Sequence, residues 1–237
     1  MSKLVFKRYE IKYKLTKSQY LAIIDEIKKH VIQDEYGKTT IQSLYYDTDS
    51  FLLIRNSIEK PIYKEKLRLR SYGLVNKNQK VFLELKKKYD KVVYKRRISI
   101  EEERAQQLIE GKYSSSIPSQ IEKEIAYVCK FYQGLKPKML LLYDRVAYYG
   151  KTEDLRITFD SNIGYRTEQL NLHTSLKRNM ILPDGEIMME IKTGKAYPMW
   201  LVKLLNGNKI YKTSFSKYGT AYTIEKNKEK QVKKEAV

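Results

Sequence analysis

The chain has 237 residues and is poor in the groups that build metal cages and covalent active sites: one cysteine, two histidines and one tryptophan. A single cysteine excludes a disulfide framework and a cysteine-based zinc cluster within one chain. Cys129 lies in an apolar helical stretch and reads as a small core residue. His30 and His173 stand in no recognisable motif, which argues against a Ser-His-Asp triad. There is no glycine-rich phosphate loop, no dinucleotide fingerprint and no kinase signature set. No run approaches the roughly 20 apolar residues that a membrane span requires, and the longest, around Met139–Leu142, is strand-sized. The first residues, Met-Ser-Lys-Leu-Val-Phe-Lys-Arg, lack the apolar centre of a signal peptide. These absences lead to the expectation of a soluble, cytoplasmic protein with no transmembrane segment of its own.

Acidic residues are also scarce relative to basic ones, 28 against 47, for a formal net charge of +19. Such a balance implies an anionic partner: nucleic acid, a membrane surface or polyphosphate. Part of the charge sits in residues 225–237, a Lys- and Glu-rich tail. The rest is patterned. In a strand, side chains alternate faces with period 2, so Lys64, Lys66, Arg68 and Arg70 share one face and Leu67 and Leu69 the other. The same alternation recurs at Arg8/Glu10/Lys12, Glu84/Lys86/Lys88, Arg156/Thr158/Asp160 and Glu190/Lys192. Two arrangements fit. In one, these are ordinary half-exposed strands with solvated charges. In the other, the sheet closes on itself, helices cover the apolar outside and the charges line the inside. Tyrosine, with 21 copies, suits the boundary between a core and polar surroundings.

Read in order, Leu4–Leu15 is a first strand and Thr16 with Gln19 a capping box for a helix to about His30. That helix turns Leu21, Ile24, Ile27 and Val31 to one side. Strands follow at 40–47, 63–73, 81–89 and 92–99, the last two as a hairpin around Asp90-Lys91. Ser99 and Ser119 cap two helices, and Tyr113–Ser116 is a polar connector. Further strands fall at 138–149, 155–161 and 186–193. Pro198 opens one helix and Ser214 another. The count is about eight strands without strict βαβ alternation, an α+β domain over residues 1–224 followed by the tail.

A basic inventory with scattered carboxylates suits phosphoryl transfer, which depends on positioning and charge neutralisation. Arg offers phosphate a planar fork and Lys a point charge. Glu10, Glu84, Asp160 and Glu190 share faces with the basic residues. Each could hold Mg²⁺ or Mn²⁺, or simply pair with a neighbouring cation. Nucleic acid fits less well, because Tyr9 and Tyr13 oppose Arg8 and Lys12 instead of joining them as a stacking platform.

The stretches Phe6–Tyr13, Leu44–Asp49, Lys66–Gly73, Phe82–Lys86, Tyr143–Tyr148, Leu155–Asp160, Met189–Lys192 and Ser214–Gly219 together resemble the VTC domain. This is the catalytic domain of the vacuolar transporter chaperone polyphosphate polymerase, a member of the triphosphate tunnel metalloenzymes, which include the CYTH proteins. The resemblance implies a closed antiparallel eight-stranded β-barrel with a polar, basic interior and flanking helices. It implies transfer of the γ-phosphate of ATP to inorganic polyphosphate, with release of ADP. Residue by residue, it implies Arg68, Arg70, Lys86 and Glu190 as catalytic. Lys12, Arg68, Arg70, Lys86, Arg145, Arg156, Lys192 and Lys217 would bind substrate, and Glu190 with Glu10 would hold Mn²⁺ or Mg²⁺. Lys95, Arg96 and Arg97 match a basic patch for the product's exit. The sequence departs from the polymerase pattern at Ser214, where a Lys is common, with Lys212 two residues upstream. The SPX domain and membrane part of yeast-type complexes have no counterpart in this sequence, and a membrane protein partner is among the expectations from the resemblance. The same superfamily contains triphosphatases, and a non-catalytic polyphosphate-binding module is the remaining alternative.

Overall fold

The computed structural model describes residues 9–76, 79–90, 92–112, 117–175 and 177–235. Residues 4–8 of the expected first strand, Arg8 among them, lie outside the described residues, as do 77–78, Lys91 and the connector Tyr113–Ser116. In order come strand β1 (Tyr9–Leu15), helix α1 (Lys17–His30), β2 (Val31–Gln33), β3 (Thr39–Asp47), α2 (Leu52–Ile58), β4 (Tyr63–Tyr72), β5 (Lys80–Tyr89), β6 (Val92–Glu101), α3 (Glu102–Ile109), α4 (Gln120–Tyr132), β7 (Lys136–Gly150), β8 (Leu155–Arg166), β9 (Asn179–Met180), β10 (Ile187–Thr193), α5 (Met199–Gly207), β11 (Lys212–Thr213) and α6 (Lys217–Glu235).

Local chemistry explains several boundaries. The Gln19 amide donates to Thr16 Oγ1 at 3.2 Å while the Thr16 amide donates to Gln19 Oε1 at 3.1 Å. Ser119 and Glu122 do the same for α4. Both satisfy backbone donors that a helix start would otherwise leave open. Two of the boundaries, and one helix face, differ from the sequence reading. Ser99 is no cap, because β6 continues to Glu101 as partner of Lys80. The last helix starts at Lys217, where Ser216 Oγ accepts from the Gly219 amide. Leu21 is exposed, and Ile23 takes its place beside Ile24 and Ile27.

Backbone pairing orders the strands β11-β1-β10-β8-β7-β3-β4-β5-β6, with β2 on β7 and β9 on β8. The pairings are antiparallel. This order has two ends, β11 and β6, so the expected closed eight-stranded barrel is overturned: the chain forms an open antiparallel sheet of 11 strands with flanking helices. The reason is physical. Period-2 alternation is the same in an open and a closed sheet, and strands as short as β2, β9 and β11 carry no periodic signal.

The chain forms two compact units, each assembled from separated segments. One contains the segment ending at Thr40, Tyr143–Ile163 and Leu182–Phe215. Its core joins Tyr13 and Leu15 of β1, Ile157 and Phe159 of β8, and Met189 and Ile191 of β10 to Ile23 and Ile27 of α1 and Leu201 and Leu205 of α5. The other contains Ile41–Leu142, Gly164–Ile181 and the segment from Ser216. Its core joins Leu67 and Leu69 of β4 and Leu83 and Leu85 of β5 to Ala105 and Leu108 of α3 and Ile125, Val128 and Cys129 of α4. In both, helices cover the apolar face and leave the charged face opposite. Cys129 is a core residue, its thiol pushed up to about 12 by burial.

Candidate functional site

The second unit carries a charged face built by three strands in register. Arg68 of β4 lies opposite Glu84 of β5, which lies opposite Arg97 of β6. One step along, Lys66, Lys86 and Lys95 stand opposite one another, and beyond them Lys64 faces Lys88. Like charges directly across an antiparallel pair are destabilising. Three lysines in one row therefore concentrate charge that neighbouring anions must offset.

Glu84 supplies part of that compensation. It is 1% exposed. Its Oε2 accepts from Arg68 Nε at 2.8 Å and pairs with Arg68 Nη2 at 2.7 Å and Arg70 Nη1 at 3.8 Å. Its Oε1 pairs with Lys95 Nζ and Arg97 Nε, both at 2.8 Å. Burial would raise its pKa, but Arg68, Arg70 and Lys95 hold it well below the usual carboxylate range. One carboxylate thus serves four cations and is committed to them. Arg68 Nη1 also donates to the Tyr45 hydroxyl at 2.7 Å, and Arg70 Nε to Ser43 Oγ at 3.2 Å. Burial would raise the Tyr45 phenol, yet Arg68, Lys66 and Arg70 outweigh it and bring the pKa down to about 8. The positive surplus of this face is what lowers it. A tyrosinate absorbance step near pH 8 is therefore expected in the native protein. It should vanish in Tyr45→Phe and move upward when tripolyphosphate binds. A spectrum without that step would contradict this electrostatic picture.

Tyr45 is held by further contacts. Its ring stacks on Tyr218 of α6 at 4.4 Å, and the Tyr218 hydroxyl donates to buried Asp47 Oδ2 at 3.0 Å. Asp47 also accepts from the Leu53 and Ile54 amides at the start of α2. Lys217 precedes Tyr218 at the start of α6 and is half-buried, and Lys66 donates to Ser216 Oγ at 3.3 Å. Lys86 is exposed on β5.

The first unit has its own charged face. Lys12 of β1 lies opposite Glu190 of β10, and Glu10 opposite Lys192. Lys192 Nζ sits 2.8 Å from Glu190 Oε1 and 3.3 Å from Glu10 Oε2. Lys12 Nζ lies 3.3 Å from Glu10 Oε1 and donates to the Phe215 carbonyl at 3.1 Å. Burial opposes the charge on Glu190, but Lys192 outweighs it and lowers its pKa, while Glu190 and Glu10 raise that of Lys192. Arg145 grips Asp160 as a fork, Nε to Oδ1 at 2.6 Å and Nη2 to Oδ2 at 2.8 Å. Arg156 stands opposite Lys192, with its guanidinium 5.0 Å from the Tyr149 ring centre.

Mn²⁺ and Mg²⁺ take oxygen ligands and need only one or two carboxylates when substrate phosphates complete the shell. Glu10 and Glu190, bridged by a single ammonium, fit such an ion as a donor set. Among the described residues no group of three or more His, Cys, Asp and Glu gathers as a ready cage. The sequence reading leaves Glu84 and Asp160 open as metal ligands or as partners of neighbouring cations, and the structure pairs both with arginines. It did not single out Tyr45, Ser43 or Asp47. Their signal was the parity of β3, which sets Tyr45 and Ser43 opposite Arg68 and Arg70.

No curated protein matches the chain. Among solved structures, a Bacillus halodurans protein provisionally named an adenylate cyclase superposes with a TM-score of 0.53 at 15% identity, over 89% of this chain and 94% of that one. A Vibrio parahaemolyticus protein of the same provisional name gives 0.46 at 10% identity, over 91% and 97%. The first likeness establishes a shared fold. The model of the VTC domain matches residues 7–226, nearly the whole length, and takes in the strands that carry both charged faces. The chain therefore belongs to the VTC domain family.

Proposed function

We propose that the chain is an ATP-dependent polyphosphate polymerase, which transfers the γ-phosphate of ATP to a growing polyphosphate chain and releases ADP. The observation that carries this reading is the row Lys66–Lys86–Lys95, flanked by Arg68, Arg70 and Arg97 around the Glu84 carboxylate. A phosphate chain bears charge at every repeat and offsets such a row where one small anion would not. Arg68 and Arg70 bind phosphate oxygens as forks and Lys86 as a point charge. By family resemblance, Lys12, Arg145, Arg156 and Lys192 of the one unit and Lys217 of the other would also bind phosphate. Glu190 with Glu10 would hold Mn²⁺ or Mg²⁺, which when bound neutralises phosphate oxygens as charge shifts to the leaving ADP.

The ion pairs favour a phosphate acceptor over water. Glu84, Asp160, Glu10 and Glu190 are all engaged with cations. None is positioned as an uncommitted general base. The end of a polyphosphate chain is already an oxyanion and has no proton to lose. The substitution Ser214, where polymerase patterns carry Lys, favours the second reading, a metal-dependent triphosphatase.

Arg68→Ala and Arg70→Ala are expected to lower turnover by about 10²–10³-fold each, the usual effect of removing one preorganised donor to developing charge. They should also flatten the salt dependence of tripolyphosphate binding. Folded variants with unchanged turnover would remove these arginines from the chemistry and with them this reading.

A further inference from the structure

A second surface of the Ile41–Leu142 unit lies away from its charged face. Tyr63 of β4 pairs across with Tyr89 of β5, and Tyr89 with Val92 of β6. Ile62, whose carbonyl accepts from the Asp90 amide, adjoins them. Helix α4 packs on this face through Glu124, which binds Lys87 and Arg96, and through Tyr132, which donates to Glu65. Its outer ridge adds Tyr127 and Phe131, stacked at 6.3 Å. Ile62, Tyr63, Tyr89, Val92, Tyr127 and Phe131 are each between 45% and 71% exposed. These exposed aromatic and aliphatic residues gather where strand ends and helix meet, Tyr127 lying close enough to Tyr63 to act on its phenol, whereas solitary exposed apolar residues would be ordinary.

Its border is basic. On α4, Lys123 and Lys130 stand at helical spacing from Tyr127 and are exposed. Glu124 is already matched by Lys87 and Arg96, and Glu65 is buried under Tyr132. Asp90 and Glu59 are the exposed acids beside the patch. Protein–protein interfaces are depleted in Lys. Tyrosine and phenylalanine rimmed by lysine, in a chain of net charge +19, instead match the interfacial layer of an anionic bilayer, where aromatic rings sit at headgroup depth and lysines meet lipid phosphates.

We infer that this patch docks the protein on anionic lipid. The test is co-sedimentation with phosphatidylglycerol or phosphatidylcholine vesicles, with tripolyphosphate present to occupy the basic strand faces. The wild-type chain should bind phosphatidylglycerol vesicles and not phosphatidylcholine. The triple variant Tyr89→Ser/Tyr127→Ser/Phe131→Ser should lose about tenfold in binding, since three apolar anchors no longer enter the interface. Phe131→Trp, a milder change, should show a blue-shifted emission on phosphatidylglycerol vesicles that the wild-type chain, with Trp200 alone, does not. Three results would overturn the inference: no vesicle binding, binding abolished by tripolyphosphate, or binding with an unshifted Phe131→Trp spectrum. None of these readouts depends on turnover, so the enzymatic reading stands or falls separately.

Discussion

Glu84→Gln is expected to destabilise the fold by about 3 kcal/mol, because removing one partner of a buried ion pair leaves uncompensated charge behind. The site makes the effect large. One carboxylate, 1% exposed, neutralises Arg68, Arg70, Lys95 and Arg97. Partial exposure of Lys95 and Arg97 keeps the loss from being larger. The same change should tighten tripolyphosphate binding, since an anion then replaces the missing counter-charge, and saturating tripolyphosphate should restore much of the lost stability. Urea denaturation with and without tripolyphosphate measures both effects. A variant as stable as the wild type would show that Glu84 is not the electrostatic hub.

The pH dependence has a definite sign. The Glu84 carboxyl titrates lower in the folded chain than in the unfolded one. Its contribution is therefore present above the ordinary glutamate pKa of about 4.3 and is lost as pH falls through the folded value. Acid unfolding of Glu84→Gln should accordingly be shallower than that of the wild type below about pH 4.

Glu190→Gln should behave in the opposite way. Lys192 retains Glu10 at 3.3 Å when Glu190 is neutralised, so stability should change by no more than about 1 kcal/mol. Turnover should fall about 10³-fold, because half of the proposed divalent-ion seat is lost and a bound ion is worth several kcal/mol of transition-state charge stabilisation. The residual activity should require more Mn²⁺ for saturation. Turnover and metal titration on the folded variant check this. Full activity with unaltered Mn²⁺ dependence would make Glu190 a partner of Lys192 and nothing more. Glu84 and Glu190 look alike in sequence, each a glutamate alternating with lysine. Their partners separate them: four cations gathered on Glu84, against one lysine that Glu190 shares with Glu10.

That contrast shows how far the sequence could be read. Alternation placed Arg68, Arg70, Glu84 and Lys86 on one face, because side-chain direction in a strand depends only on parity. The capping boxes at Thr16 and Ser119 were legible because both partners lie three residues apart. Closure was not legible, since nothing in the parity of β6 says whether its outer edge is paired. Nor was the commitment of Glu84, which needs β4, β5 and β6 aligned at once. The helix boundary at Ser99 failed for the same reason: its pairing with Phe82 holds it in β6, and long-range pairing overrides a local cap. Tyr45 was hidden because its neighbour Tyr46 has the opposite environment, in the apolar core.

The most direct test of the polymerase reading is to incubate the pure protein with ATP and Mn²⁺ and follow long-chain polyphosphate, ADP and free phosphate together. The account predicts polymer in step with ADP and little free phosphate. Free phosphate without polymer would contradict it and establish the triphosphatase instead, and absence of turnover with polyphosphate still bound would reduce the protein to a binding module.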